Sequence, residues 1–280
     1  MPETVTENDP TYFAALLCLY SLWEFFLRRL WWKPSGDRTE GGRRIVMRSA
    51  LMVAVLIAGT AGFLSLTLAA GTVAVAAVYG LHDYATRKGT REGLLRKSLE
   101  RYVLKQVLMV VLLHAAWRLA VPVTAHEWCT SAGTFVLAGA GRFAVVLQQK
   151  AKLILVIITA YLFMIDGGTS IVRGILGKFQ GLYRKAMQRL NAAEKGTPAS
   201  GETEDNVGEW IGILERIITL TLVLTGNITA IAFVLTAKSI ARFKELEQSR
   251  DFAEYYLLGT SGSIIVALGA GILVRIIFGL

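Results

Sequence analysis

Apolar residues run along this chain in long continuous blocks, without the alternation of a half-buried strand or the single stripe of a helix on a soluble core. The blocks Leu51–Leu81, Leu153–Ile165, Ile217–Ala237 and Tyr255–Leu280 approach or exceed the roughly 20 residues that carry a helix across a hydrocarbon core. A backbone in lipid has to satisfy its own N–H and C=O groups, so continuous blocks of this kind predict helices. Four stretches dense in Lys and Arg separate them: Arg28–Arg48, Arg87–Lys105, Arg173–Lys195 and Lys238–Arg250. Met1–Thr11 and Pro122–Gly133 contain neither residue.

Short loops rich in Lys and Arg stay on the cytoplasmic side of a membrane, and this rule turns the blocks into a topology. A single helix over Leu51–Leu81 would carry the second basic stretch outward. The chain is therefore expected to fold back as a hairpin of Arg48–Thr67 and Gly71–Ala85, bent at Ala69-Ala70-Gly71. By the same reasoning Gly208–Thr225 and Ile228–Lys244 form a second hairpin around the turn-prone pair Gly226-Asn227. Single crossings at Tyr12–Leu27, at Lys105–Val121, in a helix ending near Ile171, and at Tyr255–Ile277 complete the set. The expected fold is all-α, a polytopic transmembrane helical bundle of about 8 crossings (7 to 9) with two short helical hairpins and both termini outside. The range reflects Thr134–Lys152, where Arg142, Gln148, Gln149, Lys150 and Lys152 are too polar for a span facing lipid. Residues 1–190 hold the N-terminal helices and 208–280 the second hairpin with the last helix. Between them 191–207, rich in Gly, Pro, Ser, Thr and charge, reads as a flexible cytoplasmic linker.

Composition agrees with lipid as the main solvent. The 280 residues are 54% hydrophobic and 18% charged, with five prolines and a mean hydropathy of +0.49, more apolar and less charged than a soluble domain. The net charge of +9 and pI near 9.7 are read as cytoplasmic loops facing anionic lipid, with no nucleic-acid partner. Glu3, Glu7 and Asp9 precede the first apolar run, the opposite of the positive flank a signal peptide requires. Cys18 and Cys129 are expected at different depths, so no disulfide and no thiol metal site is expected. Tyr12, Trp23, Trp31, Trp32, Trp117, Trp128, Tyr161 and Trp210 fall near expected span ends and read as interfacial anchors. The glycine pairs 59/62, 139/141, 167/168, 259/262 and 269/271 read as helix-packing positions.

Ionisable groups within spans are costly and are therefore the candidates for function. Glu24 shares a helix face with Tyr20 and Arg28, which allows an intrahelical ion pair. Glu215 and Arg216 are adjacent and point about 100° apart on a helix, so each needs a partner elsewhere in the bundle. Lys238 and Arg242 return to the same depth as natural counter-charges, and Glu254 opens the last helix beside them. His82 and Asp83 resemble half of a metal or acid/base site, but His114 and His126 supply no zinc-like spacing. No metal and no cofactor is expected, and no P-loop, dinucleotide fingerprint, G-x-S-x-G or zincin motif is present. The candidate cluster is Glu24, Asp83, Glu215, Arg216, Lys238, Arg242 and Glu254.

GEWIGILER at 208–216, AIAFVLTAKSIARFKEL at 230–246, AEYYLLGTSGS at 253–263 and, more weakly, MIDGGTSIVRGIL at 164–176 resemble the DUF3307 family, bacterial integral membrane proteins without an assigned function. The family's N-terminal half tends to carry His-x-x-x-Asp pairs and an Asp-Gln-x-x-His step. Here Tyr20 and Glu24, Tyr79 and Asp83, and Lys105, Gln106 and Met109 stand in those places, and the lost histidines argue against a metal. The resemblance implies a multi-pass protein of the bacterial inner membrane. The expected role is non-enzymatic transport or lipid handling through a cytoplasm-facing polar cavity. The alternatives are a membrane subunit or anchor binding a protein partner or anionic lipid, and a lipid-modifying enzyme using Asp83 and Glu24.

Overall fold

The computed structural model describes residues 10–27, 41–59, 66–88, 98–119, 150–179, 181 and 201–280, and all regular structure among them is helical. Thr134–Gln149, parts of the basic stretches Arg28–Arg48, Arg87–Lys105 and Arg173–Lys195, Met1–Asp9 and the linker residues 191–200 lie outside the described residues. The chain divides into two compact units, Met1–Arg91 with Val103–Thr159, and Glu92–Tyr102 with Ala160–Leu280.

Unit 1 is built on α1 (Pro10–Ser21), continued by one π-helical turn over Leu22–Leu27, then α2 (Gly41–Gly59), α3 (Leu66–Lys88) and the larger part of α4 (Ser98–Leu119). Tyr20, Trp23, Met52, Leu56, Val75, Tyr79, Met109 and Leu113, contributed by all of these helices, form its buried core. Helices α2 and α3 pack against each other, but the expected bend at Ala69-Ala70-Gly71 is helical, inside α3. Packing explains the difference. A Cβ on Gly71 would come within 2.8 Å of the Ala116 side chain, so this glycine serves the close approach of α3 to α4 rather than a turn. Trp23 and Trp117 likewise depart from the expected anchor role, being 2% and 8% exposed. Trp117 packs with Phe13 and His114, at centroid distances of 5.7 and 5.3 Å.

Helix α5, Lys150–Gly177, contains a turn at Asp166. Unit 2 takes its C-terminal part together with α6 (Gly201–Leu224), α7 (Ala230–Ala241), α8 (Phe243–Gln248) and α9 (Arg250–Phe278). Gly201–Val207, expected in the linker, are the first turns of α6; their three acidic residues, Glu202, Glu204 and Asp205, suit the positive end of a helix dipole. The α6–α7 turn lies where the sequence puts it. Gly226 has φ +79°, its N–H donates to Val223 O, and the Asn227 N–H donates to Leu222 O, the hydrogen-bond pair of a Schellman ending. Ser249 caps α9 by accepting from the Phe252 N–H at 3.3 Å, and Gly279, φ 64°, closes its far end. Helix α9 packs on α6 and α5. A Cβ on Gly271 would meet Val223 at 2.6 Å, so this glycine sets how closely α9 and α6 approach.

Among the described residues two helices, Lys150–Gly177 and Arg250–Phe278, are long and apolar enough to cross a membrane. The apolar segments Phe13–Leu27, Ala70–Leu81 and Ala230–Ala241 are shorter, between 10 and 17 residues. Large apolar side chains are exposed in continuous stripes, Leu104, Val107 and Val111 on α4 and Ile265, Ile272 and Ile276 on α9. The spacing of three, four and seven keeps each stripe on one helix face.

Candidate functional site

The residues singled out in the sequence fall into two groups, one in each unit. In unit 1 the π-helical turn carries Glu24, which is 0% exposed. A π turn displaces side chains from the regular α register and often marks a special position. Lys105 from α4 donates to Glu24 Oε1 at 3.0 Å, Gln106 Nε2 to the same oxygen at 3.4 Å, and Tyr79 from α3 donates to Oε2 at 2.8 Å. Tyr20 donates in turn to Gln106 Oε1 at 2.9 Å. The Lys105 ammonium lies 4.0 Å from the centroid of the Tyr79 ring, close enough for a cation–π attraction. The carboxylate is therefore paired and hydrogen-bonded on both oxygens, the condition under which a buried charge is tolerated. Its ion pair runs between helices, to Lys105; Arg28, the expected intrahelical partner, lies outside the described residues. So does the side chain of Asp83, although its backbone is helical in α3.

In unit 2 a cavity of about 720 Å³ opens among α5, α6, α7 and α9. Glu215, Arg216, Lys238 and Arg242, four of the seven candidates, line it. Lys238 donates to Glu215 Oε2 across the α6–α7 hairpin, the partnership the hairpin predicts, and its ammonium lies 5.5 Å from the Tyr256 ring centroid. Arg242 bonds Glu245 at 3.2 Å instead of Glu215, because it caps the end of α7 and reaches the first turn of α8. Glu254 does not belong to the cavity lining. It is half exposed and pairs with Arg250 at i,i+4, a surface contact of little energetic weight.

Arg216 is the most buried charge of this group, 4% exposed. Its guanidinium donates to Met164 O at 3.1 Å, to Thr169 Oγ1 at 2.5 Å and to Ser263 Oγ at 3.5 Å. Gly168 makes room for it, since a Cβ there would lie 2.8 Å from Nε. Position 168 thus requires glycine because an arginine side chain crosses it. Sequence reasoning missed Arg173 and Glu209, which also line the cavity and pair at 2.6 Å. Arg173 opens the third basic stretch and reads there as loop charge, whereas Glu209 falls in the expected helix Gly208–Thr225, where GEWIGILER places it two turns before Arg216. Four basic and two acidic side chains face the cavity, with Val172, Leu176, Ile211 and Phe252 as apolar wall. No group of three or more His, Cys, Asp or Glu that could hold a metal occurs among the described residues.

Comparison with known protein families, curated proteins and solved structures finds no match. The functional reading therefore rests on the geometry of these two groups.

Proposed function

We propose that the chain is a DUF3307-type polytopic protein of the bacterial cytoplasmic membrane, with about eight crossings, whose unit 2 cavity faces the cytoplasm and serves transport or lipid handling. The observation that carries this reading is the juxtaposition in unit 2 of a cavity lined by six charged side chains with helices whose outer faces are apolar. Ile211, Leu214 and Ile218 on α6 and Ile265, Ile272 and Ile276 on α9 are exposed, and stripes of this size suit lipid better than water. A cluster of charge beside such surfaces has to be wet or occupied. The second reading, a non-catalytic subunit or anchor, draws on the α4 stripe of Leu104, Val107 and Val111, which a partner helix could cover in place of lipid.

The test is side-specific labelling of a cavity cysteine. Thr260→Cys, in a chain with Cys18 and Cys129 replaced by alanine, is expected to react with a membrane-impermeant maleimide in inside-out vesicles and to stay unlabelled in right-side-out ones. Labelling from the outside only, or release of the chain by alkaline carbonate, would overturn the reading.

A further inference from the structure

Helix α5 contains no proline, yet its regular ladder is interrupted at Asp166. Breaks without proline arise at pairs of Gly or Ser, or where a side chain reaches into the ladder, and both conditions are met. Gly167 and Gly168 follow Asp166, and the Arg216 side chain arrives from α6. Its guanidinium is engaged at all three nitrogens, and the bonds fall on both sides of the break. Met164 O, before it, accepts from Nε at 3.1 Å, and Thr169 Oγ1, after it, accepts from Nη2 at 2.5 Å. Ser263 Oγ on α9 accepts from Nη1 at 3.5 Å. The Thr169 hydroxyl in turn donates to Ile165 O at 2.8 Å, while Asp166 makes no side-chain capping bond to the segment it opens. The two parts of α5 are thus held together at this point by a side chain from another helix.

The segment beyond the break, Gly167–Gly177, has 11 residues and is about 16 Å long. Every α5 residue in the cavity lining, Thr169, Val172, Arg173 and Leu176, belongs to it. It packs on α9, where Leu176 and Ile175 lie over Gly259 and Gly262, 3.5 and 3.4 Å from where a Cβ would sit. On another side its own Gly174 lies against Leu99. In each of these contacts one surface is bare backbone, without the interdigitated ridges that lock packed helices, so small sliding movements are permitted. At the far end Arg173 pairs with Glu209, but its side chain is 65% exposed, and a surface pair of this kind holds little. The firmest restraint on the segment is therefore at its near end, where Arg216 bridges the break. A swing of about 15° there carries the far end about 4 Å, enough to draw Leu176 off Gly259 and open the cavity wall.

We propose that Gly167–Gly177 is the gate of the unit 2 cavity, pivoting on Asp166-Gly167-Gly168, with Arg216 as the latch that holds it closed. Control of entry rests on the cavity reading above and adds its regulation to it. The experiment uses the full chain in nanodiscs, with Cys18 and Cys129 replaced by alanine and distances measured by pulsed electron paramagnetic resonance. One pair of spin labels sits at Lys178→Cys, just past the gate, and Ile265→Cys on α9; a reference pair sits at Ile218→Cys on α6 and Ile265→Cys, all exposed positions. With Arg216 in place the gate pair is expected to give one narrow distance. Arg216→Lys keeps the charge and loses the fork, and the milder Thr169→Val removes only the partner beyond the break. Each is expected to shift part of the gate distribution by about 4 Å, to leave the reference pair unchanged, and to speed maleimide labelling of Thr260→Cys. An unchanged gate distance in both variants would overturn the latch. A shift of both pairs together would make Arg216 a general support of unit 2 and overturn it as well. A shifted gate with Thr260→Cys labelled at the original rate would overturn control of entry. Sidedness does not enter the distances, so the membrane reading stands or falls independently of them.

Discussion

Glu24 shows how a single residue ties three helices of unit 1 together. Its two oxygens take bonds from Tyr79 on α3 and from Lys105 and Gln106 on α4, and with 0% exposure the carboxylate has no water to fall back on. Removing one partner of a buried pair leaves the other charge stranded, which costs about 3–5 kcal/mol, whereas replacing both by apolar groups is often close to neutral. Lys105→Met should accordingly lower the thermal midpoint of the purified protein sharply, while Glu24→Leu with Lys105→Leu should recover most of the loss. Equal loss in the single and the double variant would show that the pair is not the main support. Glu24 was legible in the sequence as a charge in an apolar run. Its partner was not, because Lys105 lies 81 positions away and nothing local reports the packing of α4 on α1. The i+4 neighbour Arg28 was the only candidate that spacing could offer.

At the level of elements, the signals that held were those with a backbone mechanism. Gly226-Asn227 marked a turn because Gly226 takes a positive φ and its own N–H and that of Asn227 satisfy the last carbonyls of α6. Gly226→Ala forces a side chain into that left-handed conformation, at about 1–2 kcal/mol, and puts its Cβ near the Arg275 guanidinium, 3.2 Å away. A fall in the thermal midpoint without loss of expression is the expected result; an unchanged midpoint would mean that the turn relaxes to another geometry. Ala69-Ala70-Gly71 misled because small residues serve close helix contact as readily as turns, and only the position of Ala116 decides between them. The linker expected up to residue 207 fails for a related reason: acidic and polar residues suit the opening of a helix as well as a loop.

For the whole molecule, the all-helical character was readable from continuous apolar blocks, while the arrangement of helices into two compact units was not. Unit 2 gathers α5, α6, α7 and α9 around one cavity, and sequence spacing supplied four of its charged residues because Glu215, Arg216, Lys238 and Arg242 lie on a hairpin whose geometry is local. Arg173 comes from a helix earlier in the chain and was out of reach of that logic. The count of crossings has a consequence that can be measured directly. The proposed eight crossings put both termini outside, so Thr4→Cys and Leu280→Cys, each in a chain without other cysteines, should both react with impermeant maleimide in right-side-out vesicles. Opposite sidedness of the two would require an odd number.

Gly168 and Arg216 impose an order on change. The arm of Arg216 crosses position 168 with Nε and Cδ 2.8 and 2.9 Å from where a methyl group would sit, and it is held there by Met164 and Thr169. A side chain at 168 can be accepted only after the long arm at 216 has gone, and a chain that has filled 168 cannot regain arginine in the same place. The two positions are thus coupled sterically, and substitution of Gly168 is expected to cost far less in a chain whose Arg216 has first been shortened than in one that keeps it.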